Sequence, residues 1–229
     1  MDQIRAVLLD VDGTLVDSND AHGRAWVDVG LELGYPIHFE DVRPLIGMGS
    51  DKVVPLLTGH DRESPAGSRA ADLHGEVFRT RYLPHVNAFH GTHALLERMQ
   101  RAGLTLVVAT SAGSRDLNAI LEHASLGSLI DAHTTSSEAE DSKPDADIVL
   151  AALAKAGVSA SEAVFIGDTP YDIEAGRRAG VKCLALRCGG WWNDAELAGA
   201  AEIYDDPAHL LEAWDDSLLG RHSGNGSSR

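Results

Sequence analysis

The stretch of sequence that decides the fold is Ala6-Val7-Leu8-Leu9-Asp10-Val11-Asp12-Gly13-Thr14, where an apolar run ends in two closely spaced carboxylates. A short run that is apolar on both faces is typical of a central strand of a parallel sheet. Open α/β sheets bind their ligands outside the carboxyl ends of the strands. We therefore predict a buried strand that contains residues 6–9, followed by a functional edge that begins at Asp10 and Asp12.

Apolar runs of this kind recur along the chain, and helical stretches separate them. Three of these stretches end at a glycine, the residue most common just past a helix C-terminus. The alternation predicts the α/β class with a Rossmann-like parallel sheet as the core. Right-handed crossovers would place all strand ends on one edge of that sheet. The further predicted strands are Leu104 to Ala109, Leu129 to Thr135, Ala163 to Ile166 and Val181 to Leu186.

From about Leu15 to Phe89 the alternation stops, and this segment carries helix signals without strand signals. Helices are predicted over Ser18 to Leu33, Asp51 to Leu57 and Ser64 to Tyr82. The 229 residues correspond to about one and a half typical domains, which agrees with a helical insertion. The predicted units are an α/β core domain (1–14 and 90–222), a helical cap domain (15–89) and a disordered tail (223–229).

The charge balance of the chain excludes several kinds of partner. The 19 basic and 35 acidic residues give a net charge of −16, which repels phosphate backbones and anionic lipid surfaces. We therefore expect neither nucleic acid nor a membrane as a partner. The stretch from Trp191 to Gly220 contains acids but no Lys or Arg, and it is predicted to be a solvated helical face.

Cysteine content and hydropathy indicate the setting of the protein. Cys183 and Cys188 match neither a disulfide framework nor the paired spacing of a zinc site, which favours a reducing environment. The N-terminus lacks a signal-peptide pattern, and no apolar run is long enough to cross a membrane. We expect a cytoplasmic protein that acts as a monomer.

Several charged side chains stand at or near the predicted functional edge. Asp10, Asp12 and Asp168 follow strands, Asp172 comes four residues after Asp168, and Lys143 lies in a loop. Carboxylates that converge on one small volume repel one another by several kcal/mol at low effective dielectric. A hard divalent cation with oxygen ligands would balance them, and Mg²⁺ fits best. The sequence therefore predicts a magnesium site at this edge, with further positive charge from Lys143.

Four segments stand in a fixed order along the chain. They are Asp10-Val11-Asp12-Gly13-Thr14-Leu15-Val16-Asp17-Ser18, Thr110 after an apolar strand, Lys143-Pro144, and Gly167-Asp168-Thr169-Pro170-Tyr171-Asp172. Together they resemble the motifs of the haloacid dehalogenase superfamily, in its phosphatase and β-phosphoglucomutase-like branch with a helical cap. The resemblance extends to about Gly190. It implies a Mg²⁺-dependent phosphatase that hydrolyses a small phosphorylated metabolite through an aspartyl phosphate.

The resemblance also assigns roles to the catalytic candidates. It implies that Asp10 is the nucleophile and that Asp12 first protonates the leaving oxygen and then activates water. Thr110 would hydrogen-bond a phosphoryl oxygen, and Lys143 would neutralise charge shared by Asp10 and the phosphoryl group. The implied metal ligands are the Asp10 carboxylate, the Asp12 backbone carbonyl and the Asp168 carboxylate, with Asp172 as a further ligand or an orienting group.

The candidate substrate contacts lie at one strand end and in the predicted cap. His22, with Trp26 one helical turn further on, matches a pattern at the cap hinge of β-phosphoglucomutase-like members, where it lies near the substrate; packing alone would explain it equally well. The stretch Gly47-Met48-Gly49-Ser50-Asp51-Lys52 resembles a cap loop of family phosphatases, so we interpret Lys52 as a capping or substrate-contact residue. These candidates are Ser111, His22, Gly47 and Lys52.

Asp12 separates phosphatase chemistry from other reactions of the superfamily. Dehalogenases carry an aromatic residue at this position, and phosphonoacetaldehyde hydrolases carry a small apolar one. Lys52 keeps the phosphonoacetaldehyde hydrolases as a minor alternative, because they place a Schiff-base lysine in a similar loop. A β-phosphoglucomutase-like phosphosugar mutase is the stronger alternative, although such mutases carry an Arg where this chain has Gly49 and Ser50. A non-enzymatic phospho-acceptor module would lack both the cap and the second carboxylate.

Overall fold

The computed structural model describes residues 3–138 and 141–222 and contains one six-stranded parallel sheet. The strands are β1 (Ala6–Leu9), β2 (Thr105–Ala109), β3 (Ala132–Thr134), β4 (Ala163–Gly167), β5 (Lys182–Leu186) and β6 (Glu202–Tyr204). Their order is β3-β2-β1-β4-β5-β6, so the order reverses beside β1. The predicted α/β class with a Rossmann-like parallel sheet is confirmed.

β1 lies in the middle of the sheet, and all four of its residues are buried. Leu9 pairs with Val108 of β2 on one side and with Ile166 of β4 on the other. The three strands therefore end at nearly the same level, where an open α/β sheet places its ligand site. The first polar side chains past these strand ends are Asp10, Thr110 and Asp168.

The two faces of the sheet pack against different helices, because successive side chains of a strand point to opposite faces. Val7 and Leu9 belong to one apolar core together with α5 and α6. Ala6 and Leu8 belong to the other core together with α7 and α8. The helices outside the insertion are α5 (Thr92–Arg101), α6 (Ser114–His123), α7 (Asp147–Ala156), α8 (Pro170–Ala179), α9 (Pro207–Glu212) and α10 (Leu218–His222).

The insertion between β1 and α5, residues 15–89, is called the cap below. Its helices are α1 (Asn19–Leu33), α2 (Phe39–Val42), α3 (Ser50–Thr58) and α4 (Pro65–Val77). They surround a third apolar core that includes Trp26, Val29 and Val54. Ser64 caps α4 by accepting a hydrogen bond from the Gly67 amide, and a π-helical turn over Phe78–Tyr82 continues α4.

The chain enters and leaves the cap through two adjoining segments. Asp17 N donates to Asn87 O at 2.9 Å, and Phe89 N donates to Leu15 O at 3.0 Å. These two bonds flank an antiparallel bridge between residues 16 and 88. Entry and exit are therefore hydrogen-bonded to each other only a few residues beyond Asp12.

The acidic stretch after Gly190 is only partly the helical face that the sequence predicts, since α9 lies in it but a strand does too. Residues 202–204 form β6, which adds to the edge of the sheet beside β5. The prediction missed this strand because it has only three residues, begins with Glu202 and buries only Tyr204. The tail predicted to be disordered, 223–229, lies outside the described residues. No helix in the described part of the chain has the length and apolar character needed to span a membrane.

Candidate active site

Three carboxylates and one ammonium group form the centre of the site. Asp10 follows β1, Asp168 follows β4 and Asp172 lies in the first turn of α8. One oxygen from each lies within 4.8 Å of the others. Lys143 is completely buried, and its Nζ lies 2.5 Å from Asp10 Oδ1 and 2.8 Å from Asp172 Oδ1. One positive group therefore faces three negative ones.

The start of α8 fixes the orientation of Asp172. Thr169 is the N-cap residue, and its hydroxyl accepts a hydrogen bond from the Asp172 amide at 3.2 Å. Asp172 Oδ2 in turn accepts from Thr169 N at 3.0 Å and from Thr169 Oγ1 at 2.7 Å. This reciprocal pair is a capping box, which satisfies donors that the first helical turn leaves open. The capping box engages Asp172 Oδ2 and leaves Asp172 Oδ1 facing Lys143.

Asp168 receives its hydrogen bonds from neutral donors. Thr14 Oγ1 donates to Asp168 Oδ1 at 3.1 Å, and Asn19 Nδ2 donates to Asp168 Oδ2 at 2.9 Å. Within the described ranges, no Lys or Arg forms an ion pair with this carboxylate. The charge of Asp168 is therefore the least compensated of the three.

Burial and mutual repulsion shift the pKa values of this centre. Burial raises the pKa of Asp10 to about 7 although Lys143 opposes the rise. Burial and the neighbouring Asp172 and Asp10 carboxylates raise the pKa of Asp168 well above its ordinary value. Burial alone would lower the pKa of Lys143, but the Asp10 and Asp172 carboxylates raise it, so Lys143 keeps its proton.

The donor set of this centre fits a hard divalent cation. Carboxylate oxygens of Asp10, Asp168 and Asp172 converge on one small volume, where Lys143 forms ion pairs with Asp10 and Asp172. Oxygen ligands in such a cluster are those that Mg²⁺ prefers. A bound cation would favour the ionised form of each carboxylate.

Asp12 occupies a different environment from Asp10. Its Oδ1 accepts a hydrogen bond from Ser18 Oγ at 2.5 Å and lies 3.0 Å from His22 Nε2. Burial opposes ionisation of Asp12, but His22 and the Ser18 hydroxyl hold its pKa below the ordinary value. His22 itself stacks on the Phe78 ring at a centroid distance of 3.8 Å. A residue of the cap therefore holds one oxygen of Asp12.

The end of β2 supplies two hydroxyl groups. Thr110 is 2% exposed, and its Oγ1 accepts a hydrogen bond from the Ala112 amide at 3.1 Å, which fixes the side chain. Ser111 Oγ is buried and has no hydrogen-bond partner among the described residues. Since an unpaired buried hydroxyl is costly, Ser111 is suited to receive a ligand oxygen.

A cavity of about 630 Å³ lies between the cap and the functional edge of the sheet. Asp10 and Asp12 line it from the β1 side, and His22 lines it from the cap. Three arginines also line it: Arg62, Arg79 and Arg115. Arg79 is paired with Asp116 of α6, so this ion pair links the cap to the core at the cavity wall. The cavity is large enough for a small phosphorylated metabolite.

The two candidates that come from the cap loop, Gly47 and Lys52, lie in different places relative to the cavity. Gly47 lines the cavity and has φ of 107°, a conformation that favours glycine. A Cβ at this position would lie 2.9 Å from Thr169 Cγ2. Lys52 does not line the cavity; its Nζ donates to Ser142 O at 2.6 Å and to Asp145 Oδ2 at 2.9 Å. The other predicted site residues, Asp10, Asp12, His22, Thr110, Ser111, Lys143, Asp168 and Asp172, lie together at the functional edge.

Sequence reasoning missed several residues that hold the site together. Thr14 and Ser18 lie inside the first motif, and their hydroxyls were available to orient Asp168 and Asp12. Asn19 carries no sequence signal, because its contact with Asp168 joins residues 149 positions apart. His74 also lines the cavity, and no pattern pointed to it, since it reaches the site through the packing of α4 on α1.

Comparison with known proteins agrees with this geometry. The profile of the family described as haloacid dehalogenase-like hydrolase matches residues 7–186. A phosphoglycolate phosphatase of Pseudomonas savastanoi pv. phaseolicola is 30% identical over 190 residues, which cover 81% of this chain and 70% of the relative. Protein SUPPRESSOR OF QUENCHING 1, chloroplastic, of Arabidopsis thaliana is 31% identical over 95% of this chain, but the chain spans only 21% of that protein. The crystal structure of a hydrolase from Pseudomonas syringae superposes with a TM-score of 0.85 at 27% identity, covering 93% of this chain and 98% of that one.

The chain belongs to the haloacid dehalogenase-like hydrolase family. Within that family it is an enzyme of the phosphatase type. The resemblance drawn from the four motifs is thereby confirmed, and the family match includes the residues at the functional edge.

Proposed function

We propose that the protein is a Mg²⁺-dependent phosphohydrolase that releases phosphate from a small phosphorylated metabolite through an aspartyl phosphate at Asp10. The observation that carries the proposal is the position of Asp10. This residue lines the cavity, while Lys143 contacts its Oδ1 at 2.5 Å without itself lining the cavity. A carboxylate held in this way is placed to attack a phosphorus atom that enters from the cavity.

Asp10 acts as a nucleophile only in its ionised form. Lys143 favours that form, and Mg²⁺ would be held by Asp10, the Asp12 carbonyl, Asp168 and Asp172. The bound ion supplies positive charge that offsets charge on the phosphoryl oxygens. Attack by an Asp10 oxygen forms the new bond to phosphorus as the ester oxygen departs. The hydroxyls of Thr110 and Ser111 are available to the phosphoryl oxygens.

The leaving oxygen needs a proton, and Asp12 is the group that supplies it. Ser18 and His22 engage Oδ1, while Oδ2 makes no hydrogen bond to any described residue and is free for the substrate. The pKa of Asp12 is low in the free protein, but an approaching phosphoryl dianion favours its protonated form. After the ester oxygen takes this proton, the Asp12 carboxylate accepts one from the water that attacks phosphorus. Phosphate leaves and Asp10 is regenerated.

The proposal is tested by measuring phosphate release from a panel of phosphate monoesters. We expect turnover with Mg²⁺, loss of activity in EDTA, and recovery when Mg²⁺ is restored. Ca²⁺ should inhibit, because its longer bonds and looser coordination misplace the nucleophile relative to phosphorus. Full activity in chelator would exclude the metal part of the proposal. If a phosphosugar were converted into its isomer and no phosphate were released, the reaction would be phosphoryl transfer to a bound sugar and not hydrolysis.

A further inference from the structure

Ser142, the residue before Lys143, is bonded to the cap through each of its polar groups. Its Oγ accepts from Gly49 N at 3.0 Å, and its N–H donates to Asp51 Oδ2 at 3.3 Å. Its carbonyl oxygen accepts from Lys52 Nζ at 2.6 Å. Gly49, Asp51 and Lys52 all belong to the loop and first turn that begin α3. The loop that carries the buried ammonium is therefore attached directly to the cap.

The ammonium group of Lys52 is engaged by the Lys143 loop. Its Nζ donates to Ser142 O at 2.6 Å and to Asp145 Oδ2 at 2.9 Å, and it lies 3.6 Å from Asp51 Oδ2. Ser142 and Asp145 flank Lys143-Pro144 on both sides. Lys52 thus spans the short segment from which the Lys143 side chain reaches Asp10.

We propose that Lys52 is a positioning residue that fixes the Lys143 loop through Ser142 and Asp145, so that docking of the cap and placement of the Lys143 ammonium are one event. The inference rests on the proposed phosphohydrolase function and replaces the expected substrate contact by Lys52. Asp10 and Asp172 must share Lys143 at 2.5 and 2.8 Å, and a shift of its loop by a fraction of an ångström alters both contacts. Small misplacements of this kind are costly in active sites.

The kinetic test compares Lys52→Met with Lys143→Met and with the double variant. Lys52→Met removes the ammonium and keeps the length of the side chain. We expect kcat to fall about 10- to 100-fold with little change in KM, and by the same factor for esters with different leaving groups. In the Lys143→Met background, Lys52→Met should cause no further loss, because it acts only through Lys143. Losses that multiply, or a KM effect that depends on the ester, would overturn the proposal.

Lys155→Met is the matched control. Lys155 also joins a backbone carbonyl, His133 O, to a carboxylate, Glu138, but neither partner flanks Lys143. The same substitution there should leave kcat and KM unchanged. Equal kinetic losses in the two variants would mean that Lys52 has no special relation to the site.

A second measurement does not depend on turnover. Hydrogen exchange over residues 141–147 should become faster in Lys52→Met and stay unchanged in Lys155→Met, since only the first variant frees Ser142. Unchanged exchange in Lys52→Met would overturn the positioning role. If the wild-type protein released no phosphate from any ester while exchange still responded, the proposed function would fail and the coupling of cap and loop would stand.

Discussion

Asp10 and Asp12 lie two residues apart, yet their surroundings shift their pKa values in opposite directions. Burial raises the pKa of Asp10, whereas His22 and Ser18 lower that of Asp12 against the effect of burial. Two carboxylates with different environments are suited to different steps of one reaction. Substitution of each residue separates those steps.

Asp10→Asn should abolish turnover while the fold stays intact. The amide keeps the shape of the side chain but loses the proposed nucleophile and one of the three carboxylates of the cluster. We expect kcat to fall by about 10⁴ or more, as when other enzymes lose their nucleophile. Phosphate release and a urea unfolding curve measure the two effects. A variant that keeps more than about a tenth of the activity would contradict covalent catalysis by Asp10.

Asp12→Ala should discriminate between leaving groups. An alkyl phosphate needs protonation of its leaving oxygen, so we expect a loss of about 10² to 10⁴ in the first step. Nitrophenolate is a weak base and departs unprotonated, so phosphorylation of Asp10 by p-nitrophenyl phosphate should lose less. The trapped aspartyl phosphate should then accumulate, because no base activates water, and rapid quench with ³²P-labelled ester detects it. Equal losses with both esters and no trapped species would leave Asp12 without an acid–base role.

The residues of the site differ in how far the sequence predicted them. The four motifs predicted Asp10, Thr110, Lys143 and Asp168, since each follows a strand or sits in a loop at the same edge. The position of Lys52 was not predictable in the same way. Its hydrogen-bond partners, Ser142 and Asp145, lie 90 and 93 positions further along the chain, and only the docking of the cap brings them near.

At the scale of elements, the N-terminus of α8 contributes both to the stability of the fold and to the orientation of Asp172 in the site. Thr169→Val keeps the shape of the N-cap residue but removes the hydroxyl that bonds Asp172. We expect a loss of about 1 kcal/mol in the free energy of unfolding and a fall in kcat as Asp172 loses its orientation. Urea unfolding and phosphate release measure both.

Ser64→Ala is the control for this substitution. Ser64 caps α4 through a hydrogen bond from the Gly67 amide, and it does not line the cavity that holds Asp10 and Asp12. The loss of stability should be similar, about 1 kcal/mol, while kcat stays unchanged. Equal kinetic effects in the two variants would show that Thr169 acts only through general stability.

Strands proved more predictable at the centre of the sheet than at its edge. β1 and β4 are apolar on both faces because helices cover both faces of the sheet. Their apolar composition was therefore enough to predict them as strands. β6 is three residues long and pairs on one side only, and its acidic flanks dominate the local pattern. Three of the cap helices were predicted, α1 and α4 from the residues at their ends, whereas the four-residue α2 was not predicted. The π-helical turn after α4 has no sequence marker of its own.

At the scale of the whole molecule, His74 makes stability sensitive to acid. Its ring stacks on Trp26 at 4.3 Å, its Nε2 has no partner among the described residues, and burial lowers its pKa to about 3. The unfolded chain binds a proton near pH 6.5, whereas the folded chain does not, so stability falls as the pH drops from 6.5 toward 3.

We therefore expect the free energy of unfolding of His74→Gln to depend less on pH than that of the wild type. Between pH 7.5 and pH 5, the wild type should lose about 1 to 2 kcal/mol more free energy of unfolding than the variant. Urea unfolding at the two pH values measures the difference. The exposed His93→Gln should behave like the wild type. A His74→Gln variant with the same acid sensitivity as the wild type would show that other groups cause it.

The adjoining entry and exit of the cap have a consequence for how such proteins can be recombined. The segment between residues 16 and 88 could be exchanged for that of another protein, because the two junctions lie side by side and pair with each other. Asp10 and Asp12 would stay on the recipient side. A transplanted segment would, however, also have to bring a donor for Ser142 O, since the host's own ammonium at Lys52 would be removed with the exchanged piece.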